Sequence, residues 1–368
     1  MSRLIPKLDK FSAVFRQFEK DYDVGFCRTD EIDDALAFID TYWKKGHVLV
    51  KSRRLLDWQH LDREHGRYNF AIARNKASGA IHALKGFIPA SQFDPALEKL
   101  LVWGAIWKVR DDISAAGLGG ILSEFITRSL PIDTWVSFNI SEDAKKNDRQ
   151  TGCSIGSASN YFFANPRLQD FKIAAGLEKF QTQAQHNTPG FSLRELDSAA
   201  FEALPDSAKP FACIRPYKSK TYLLNRYFRH PFYTYRCHAI VQGDAASTQL
   251  RAIFFTRESP ANGRNCLRMV EYAGDYAELR HVRADMAGLL LAGNYEYIDI
   301  ITSNVDDAVL QSAGFINKNT DPGIIIPNYF EPFVQENIPL EYSYISLDPH
   351  FKPVLNKGDA DQDRPSAV

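Results

Sequence analysis

The residues best placed to do chemistry lie in one short loop. Gly117, Gly119 and Gly120 fall within the stretch SAAGLGGIL, Ser114–Leu122. An apolar run, LLVWGAIWKV (Leu100–Val109), precedes it, and a helix-like segment, GGILSEFITRSL, follows. A backbone N–H donates well to a phosphate only where the phosphate can come close. Glycine removes the Cβ that would block it, and a helix N-terminus adds partial positive charge. The loop supplies both conditions, so it reads as a phosphate cradle; a plain tight turn is the competing reading. Two nucleotide motifs do not fit. A P-loop needs a Lys-Ser/Thr pair after its last glycine, and a dinucleotide fingerprint needs GxGxxG early in a βαβ unit.

Other polar residues sit where they could face an acceptor. Glu142 and Asp143 follow the strand-like TWVSFNI (Thr134–Ile140); they are base candidates, or acids at a solvated helix N-terminus. His230 lies in RHPFY, where Pro231 biases it towards extended backbone. It faces a sugar or is a satisfied core histidine. Asn328, Tyr329 and Glu331 lie between prolines in IIPNYFEPF. Such a loop suits acceptor binding, or straps two parts of the chain together.

Composition narrows the function classes. There are 44 basic and 45 acidic residues, for a net charge of −1. That leaves no electrostatic footprint for nucleic acid or an acidic membrane. The five cysteines are scattered without a CxxC or Cys/His cluster, so neither zinc nor a disulfide framework is indicated. The N-terminus has no continuous apolar run of the secretory kind, and no run is long enough to span a bilayer. The expectation is a reduced, cytoplasmic protein that needs no metal.

The elements that must position these residues occur twice. KSRRLLDWQHLDREHGRYNFAIARNKASGAIHALKGFI starts at Lys51, and KSKTYLLNRYFRHPFYTYRCHAIVQGDAASTQLRAIFFT starts at Lys218. Each reads as a helical segment followed by two strands joined at a polar turn. Further pairs keep the order at an offset of about 161 residues: WKVRDDIS with RMVEYAGD, TWVSFNI with EYIDIIT, and TGCSI with SAGFI. The expected fold is α/β, an α+β mixed sheet in two tandem units. The first would cover 1–195 and the second 196–368. The segment Leu196–Ala212 would mark the junction, and NKGDADQDRPSAV would be an exposed tail.

Helices, a hairpin, a long strand and IWKVRDDISAAGLGGIL together resemble the Gcn5-related N-acetyltransferase (GNAT) family. Its loop, Arg/Gln-x-x-Gly-x-Gly/Ala, falls in register on Ser114-Ala115-Ala116-Gly117-Leu118-Gly119, with Ser114 replacing the leading Arg/Gln. The resemblance implies that Ala116–Gly120 hold the pyrophosphate of acetyl-CoA or another acyl-CoA. It also implies that the backbone of Trp107, Lys108 and Val109 pairs with the pantetheine arm, with Arg110 restoring positive charge. The family's usual tyrosine acid is missing: Asp148 and Leu310 stand at the two matching positions. Tyr161 in SNYFF is the substitute candidate, its competing reading being a core aromatic. The second copy's loop, VEYAGDYAELRHV, carries Asp275 and Glu278, which would repel a pyrophosphate. It reads as a GNAT unit that has lost CoA binding.

More narrowly, LLDWQHLD, GFIPASQFD, NRYFRHPFY, IIPNYFEPF and DADQDRP resemble acyltransferases encoded with bacterial surface-polysaccharide genes. That implies N-acyl transfer to an amino sugar, often nucleotide-linked, by direct attack of the amine on the thioester. Two alternatives stand beside it. One is an aminoacyl-tRNA-dependent peptidyltransferase with paired GNAT folds, which the net charge and the lack of a long heptad segment disfavour. The other is a non-catalytic binding protein on degenerate GNAT folds.

Overall fold

The computed structural model describes residues 4, 16–180, 186–243 and 248–365. Its first strand, β1 (Tyr22–Arg28), leads to three helices: α1 (Ile32–Phe38), α2 (Val48–Lys51) and α3 (Arg53–His60). Ile32, Ala35 and Phe38 recur at helical spacing and are all buried, which gives α1 one apolar stripe. The Ser52 side chain caps α3 by accepting from the Leu55 N–H at 3.3 Å. The strands β2 (Arg67–Asn75) and β3 (Ile81–Pro89) form a hairpin, and β4 (Leu100–Val109) follows. Next come α4 (Leu118–Ser129), β5 (Ile132–Phe138), α5 (Glu142–Thr151) and β6 (Ser154–Ala164).

The second half repeats this order. It runs β7 (Phe191–Leu196), α6 (Ser198–Glu202), α7 (Lys209–Ala212), α8 (Lys220–Leu223) and the strands β8 (Arg236–Gly243) and β9 (Thr248–Ala261). Then come β10 (Arg264–Gly274), α9 (Arg283–Ala292), β11 (Tyr297–Thr302), α10 (Asp307–Ser312) and β12 (Leu340–Ser346).

Two compact units result. The first holds residues 1–156, 341–351 and 364–368, and the second holds 157–340 and 352–363. The first unit's strands are ordered β1-β2-β3-β4-β5-β12, and the second's β7-β8-β9-β10-β11-β6. Neighbours are antiparallel except for one parallel pair in each unit, β4 with β5 and β10 with β11. The mixed α/β class and the twofold repeat are therefore present in the strand order itself.

The division differs from a single cut between 195 and 196. Each unit takes its last strand from beyond the other copy's elements. β6 follows α5 in the chain but pairs with β11, Ala164 opposite Tyr297. β12 returns to pair with β5, Tyr342 opposite Phe138. The segment Leu196–Ala212, expected as a junction, lies inside the second unit as the end of β7 with α6 and α7.

Each sheet is covered on both faces. In the first unit, Ala71, Phe87, Val102 and Trp135 pack under α4 with Leu118, Leu122 and Ile126. The opposite face carries Phe70, Ile72, Leu84 and Ile106 against α1–α3. In the second unit, Leu267, Met269, Ile298 and Ile300 pack against α9 and α10. Its other face holds Phe162, Cys266 and Tyr297 against Ile173, Ile324 and Ile326.

The C-terminal stretch is not an exposed tail. Asn356, Lys357, Asp359 and Asp363 are all buried. Asn356, Asp359 and Asp363 meet partners distant in the chain: Glu271, Lys218 and Arg257. No helix among the described residues is long and apolar enough to cross a membrane.

Candidate active site

In the first unit two parallel strands part company. β4 pairs with β5 from Leu100 opposite Ile132 to Gly104 opposite Ser137. β4 then runs on through Ala105–Val109 while pairing only with β3, Lys85 opposite Trp107 and Leu84 opposite Lys108. A register shift falls between these stretches, so the strand bends as it leaves β5. Among the described residues no strand pairs with the β5-facing backbone edge of Ala105–Val109.

This strand ends in the glycine loop. Ser114, Ala116 and Gly117 are exposed, whereas Leu118 and Gly119 are buried. Gly117 has φ 98°, a left-handed conformation that a side chain resists, and its carbonyl accepts from Gly120 N at 3.0 Å. Ala115 accepts from Leu118 N at 3.1 Å. Gly119 serves a packing purpose: a Cβ there would lie 2.8 Å from the Trp107 Nε1. The Trp107 indole lies against the first turn of α4, and its buried Nε1 has no hydrogen-bond partner among the described residues. An orphaned donor beside a helix N-terminus suits an anionic or carbonyl-bearing ligand.

The charges expected to help are already matched. Lys108 Nζ donates to Asp111 at 2.6 Å, and Arg110 donates to Asp112 at 2.6 Å while lying 4.7 Å from the Tyr42 ring centroid. In this structure the Arg110 charge is paired with Asp112. Both carboxylates are exposed, so these pairs are weak and exchangeable.

Opposite the departing part of β4 sits a polar cluster that sequence reading passed over. The Lys85 ammonium donates to Ser123 Oγ of α4 at 2.6 Å and lies 4.2 Å and 4.8 Å from the Trp107 and Trp135 ring centroids. Burial pushes its pKa down, against the pull of the Asp148 charge. Asp148, half-buried on α5, accepts from the Ser343 hydroxyl of β12. Burial lifts its pKa, opposed by Lys85 and by the Ser343 bond. Cys153 beside it is pushed up to about 11 by burial and Asp148, so it is a poor source of thiolate. One signal for Lys85 was legible: a lysine inside the apolar run of IHALKGFIP.

The predicted acid–base residues stand elsewhere. Glu142 and Asp143 are exposed in the first turn of α5, where Glu142 pairs with Lys145 at 2.7 Å and Asp143 with Lys146 at 3.6 Å. Theirs is the solvated helix-terminus setting. Tyr161 belongs to the second unit, fully buried on β6, and its hydroxyl donates to Asp307. Burial and that carboxylate raise its pKa, so the phenol stays protonated, with its proton directed at Asp307. His230, also in the second unit, accepts at Nδ1 from Phe232 N (3.1 Å) and Tyr233 N (2.9 Å). Asn328 accepts from Asn160 at 3.2 Å, donates to the Ile338 carbonyl at 2.9 Å, and gives its own carbonyl to Arg268 at 2.9 Å. Glu331 accepts from Tyr233 Oη at 3.1 Å. Tyr329 forms a short hairpin with Val334.

The second unit has the same parting of strands, filled from within the chain. β10 pairs with β11 only over Leu267–Met269. Beyond it, Gly358 N donates to the Val270 carbonyl at 2.6 Å, and Asn356 bridges to Thr302 of β11. Asn356 Nδ2 also donates to Glu271 at 3.0 Å, and Tyr276 Oη donates to Asn356 Oδ1 at 2.6 Å. Lys218, fully buried, joins Glu271 (2.6 Å) and Asp359 (2.5 Å). The acids expected to repel a pyrophosphate have local duties instead. Asp275 caps Ala277 N at 2.9 Å, and Glu278 pairs with Arg251 at 2.6 Å. What fills this gap is backbone and not repulsion.

No family model matches the chain, and no curated protein sequence matches it. Among solved structures it is similar to N-myristoyltransferase of Saccharomyces cerevisiae with bound myristoyl-CoA, at 10% identity and a TM-score of 0.46, over 90% of this chain and 82% of that one. It is similar to a GCN5-related N-acetyltransferase from Anabaena variabilis, at 8% identity and a TM-score of 0.49, over 88% and 72%. A GCN5-related N-acetyltransferase from Kribbella flavida shares 10% identity with a TM-score of 0.49, over 89% and 71%.

Proposed function

We propose that the protein is an acyl-CoA-dependent N-acyltransferase, acting as an N-acetyltransferase on a nucleotide-linked amino sugar of surface-polysaccharide synthesis. One observation carries the acyl-CoA part: a strand edge left open over Ala105–Val109 leads directly into an exposed glycine turn at the head of a 12-residue helix. An extended amide-bearing arm would pair with that edge, and a diphosphate would meet the N–H groups of the turn. The amino-sugar acceptor rests on the sequence resemblance alone.

Acyl transfer needs one proton removed and one supplied. The amine nitrogen bonds to the thioester carbon, the carbon–sulfur bond breaks, the amine proton leaves, and the departing sulfur gains one. Asp148 stands at the position of the family's usual acid, and burial favours its protonated form. It is the proton-holding group of this reading, positioned by Ser343 and balanced by Lys85. Trp107 and Trp135 keep water from Lys85.

Calorimetry with acetyl-CoA tests the reading most directly. Saturable binding by the full chain, lost in Gly119→Asp, is expected. Failure of the unaltered protein to bind acetyl-CoA sinks it and leaves a non-catalytic binding protein. A thiol-release assay over nucleotide-linked amino sugars then identifies the acceptor.

A further inference from the structure

Three sequence stretches that the acyl-transfer site leaves unused converge on one face of the second unit: the RHPFY turn, IIPNYFEPF and the C-terminal DADQDRP. We propose that Lys357, with Arg257 and Arg268, forms a binding site there for an oxyanion, a phosphate or a carboxylate.

The sheet register builds the site. Arg257 on β9 lies opposite Arg268 on β10, which lies opposite Asp299 on β11. Arg268 holds Asp299 through Nε (3.2 Å) and Nη2 (2.7 Å), and Arg257 holds Asp363 at 2.7 Å. Each carboxylate is thus committed to one guanidinium. Lys357 is 5% exposed, yet among the described residues its amine has no hydrogen bond and no ion pair. Its neighbour is the Tyr329 ring, with the amine 5.9 Å from the centroid. Arg257 and Arg268 are each matched to a carboxylate, and Lys357 is not.

A buried ammonium without a partner is costly. Burial first, then the charges of Arg268 and Arg257, push Lys357 down to about 7, while Asp363 and Asp299 pull the other way. At pH 8 a shift of that size leaves the amine largely without its proton. An oxyanion supplies the missing partner and restores that proton. Further donors are at hand. Of the five N–H groups of a guanidinium, Arg257 uses Nε, one on Nη1 and one on Nη2, and Arg268 uses all but one on Nη1. Tyr233, whose ring lies 4.0 Å from the Arg257 guanidinium carbon, and Tyr329 add flat surfaces suited to a group carried with the anion.

The proposal is independent of acyl-CoA binding and is tested on the full chain by calorimetry at pH 8. Inorganic phosphate and uridine diphosphate are titrated in two buffers of different ionisation enthalpy. Saturable binding with uptake of about one proton is expected, because the amine is mostly neutral before binding and charged after it. Lys357→Met should weaken binding by ~10-fold or more and abolish the uptake. Its melting temperature at pH 6 should hold or rise, since an unmatched buried charge is removed. Much tighter binding of the diphosphate assigns the anion to a nucleotide, and equal binding assigns it to free phosphate. Absence of saturable binding, or equal affinity and proton uptake in Lys357→Met, overturns the proposal. A fall in melting temperature with unchanged anion linkage also overturns it, because Lys357 would then be structural only.

Discussion

Gly358 and Val270 meet backbone to backbone, N–H to carbonyl at 2.6 Å, where the second unit's parallel strands part. The chain there supplies its own extended segment to a gap that its first unit leaves open along Ala105–Val109. The two halves thus share a fold and differ in what lies in the cleft. In the first, no described strand pairs along Ala105–Val109 on that side; in the second, Asn356 and Gly358 pair with the two parting strands.

The first prediction concerns that closure. Lys218 is fully buried and held by Glu271 and Asp359. Asp359→Ala removes one of the carboxylates that hold a buried ammonium and should cost about 3–5 kcal/mol. Amide exchange over residues 354–363 should rise sharply, because the segment loses its anchor. Lys218→Met combined with Asp359→Leu and Glu271→Gln, which removes every charge of the cluster, should recover part of the loss. Equal exchange in Asp359→Ala and the unaltered chain counts against a closed cleft.

A second prediction follows from His238, buried and bonded through Nε2 to Thr256 at 2.9 Å. Burial first, then Arg236, hold it down at about 4, against an ordinary value of 6.5. Below pH 6.5 the unfolded chain gains a proton that the folded chain refuses. Stability therefore falls as pH drops from 6.5 towards 4 and levels off below that, by on the order of 3 kcal/mol. His238→Gln should flatten this part of the pH–stability curve in urea titrations. An unchanged slope between pH 6.5 and 4 removes His238 as its source.

The repeat and the glycine turn were legible because both are local. Gly117–Gly120 declare a helix start within a few residues, and the hairpins declare themselves by alternation. The strand exchange was not legible, since β6 and β12 carry no mark of which sheet they join. Nor was the burial of Asn356–Asp363. That stretch reads as solvated, and residues far back in the chain, among them Lys218, Tyr235, Arg257 and Glu271, answer its polar groups. Asp148 stood out by alignment as the place of a missing tyrosine, but its burial depends on Lys85 and Ser343, which no spacing rule connects to it.

The third prediction tests the packing of the loop. A Cβ at Gly119 would come within 2.8–3.1 Å of three Trp107 ring atoms. Gly119→Ala should displace the indole, destabilise the protein by about 1–3 kcal/mol, and weaken acetyl-CoA binding. Trp107→Ala should relieve the clash, so the double variant should lose less than the two single losses combined, by more than ~0.5 kcal/mol. Strict additivity contradicts this contact.

The last prediction separates stability from catalysis at Asp148. Burial raises its folded pKa above the unfolded value, so in the neutral range the unfolded chain ionises more readily than the folded one. The folded state is penalised at pH above the raised value, and the penalty disappears as pH falls below the unfolded one. Asp148→Asn keeps an acceptor for the Ser343 hydroxyl and carries no charge to desolvate. It should be as stable as the unaltered protein or more so at pH 7.5, with the difference vanishing near pH 3. Acyl transfer by the same variant should fall ~100-fold or more in kcat, with acetyl-CoA affinity held within about twofold. The affinity should hold because the strand edge and glycine turn do not involve this side chain. A buried carboxyl that served structure alone would show the opposite pattern, with stability lost and turnover kept.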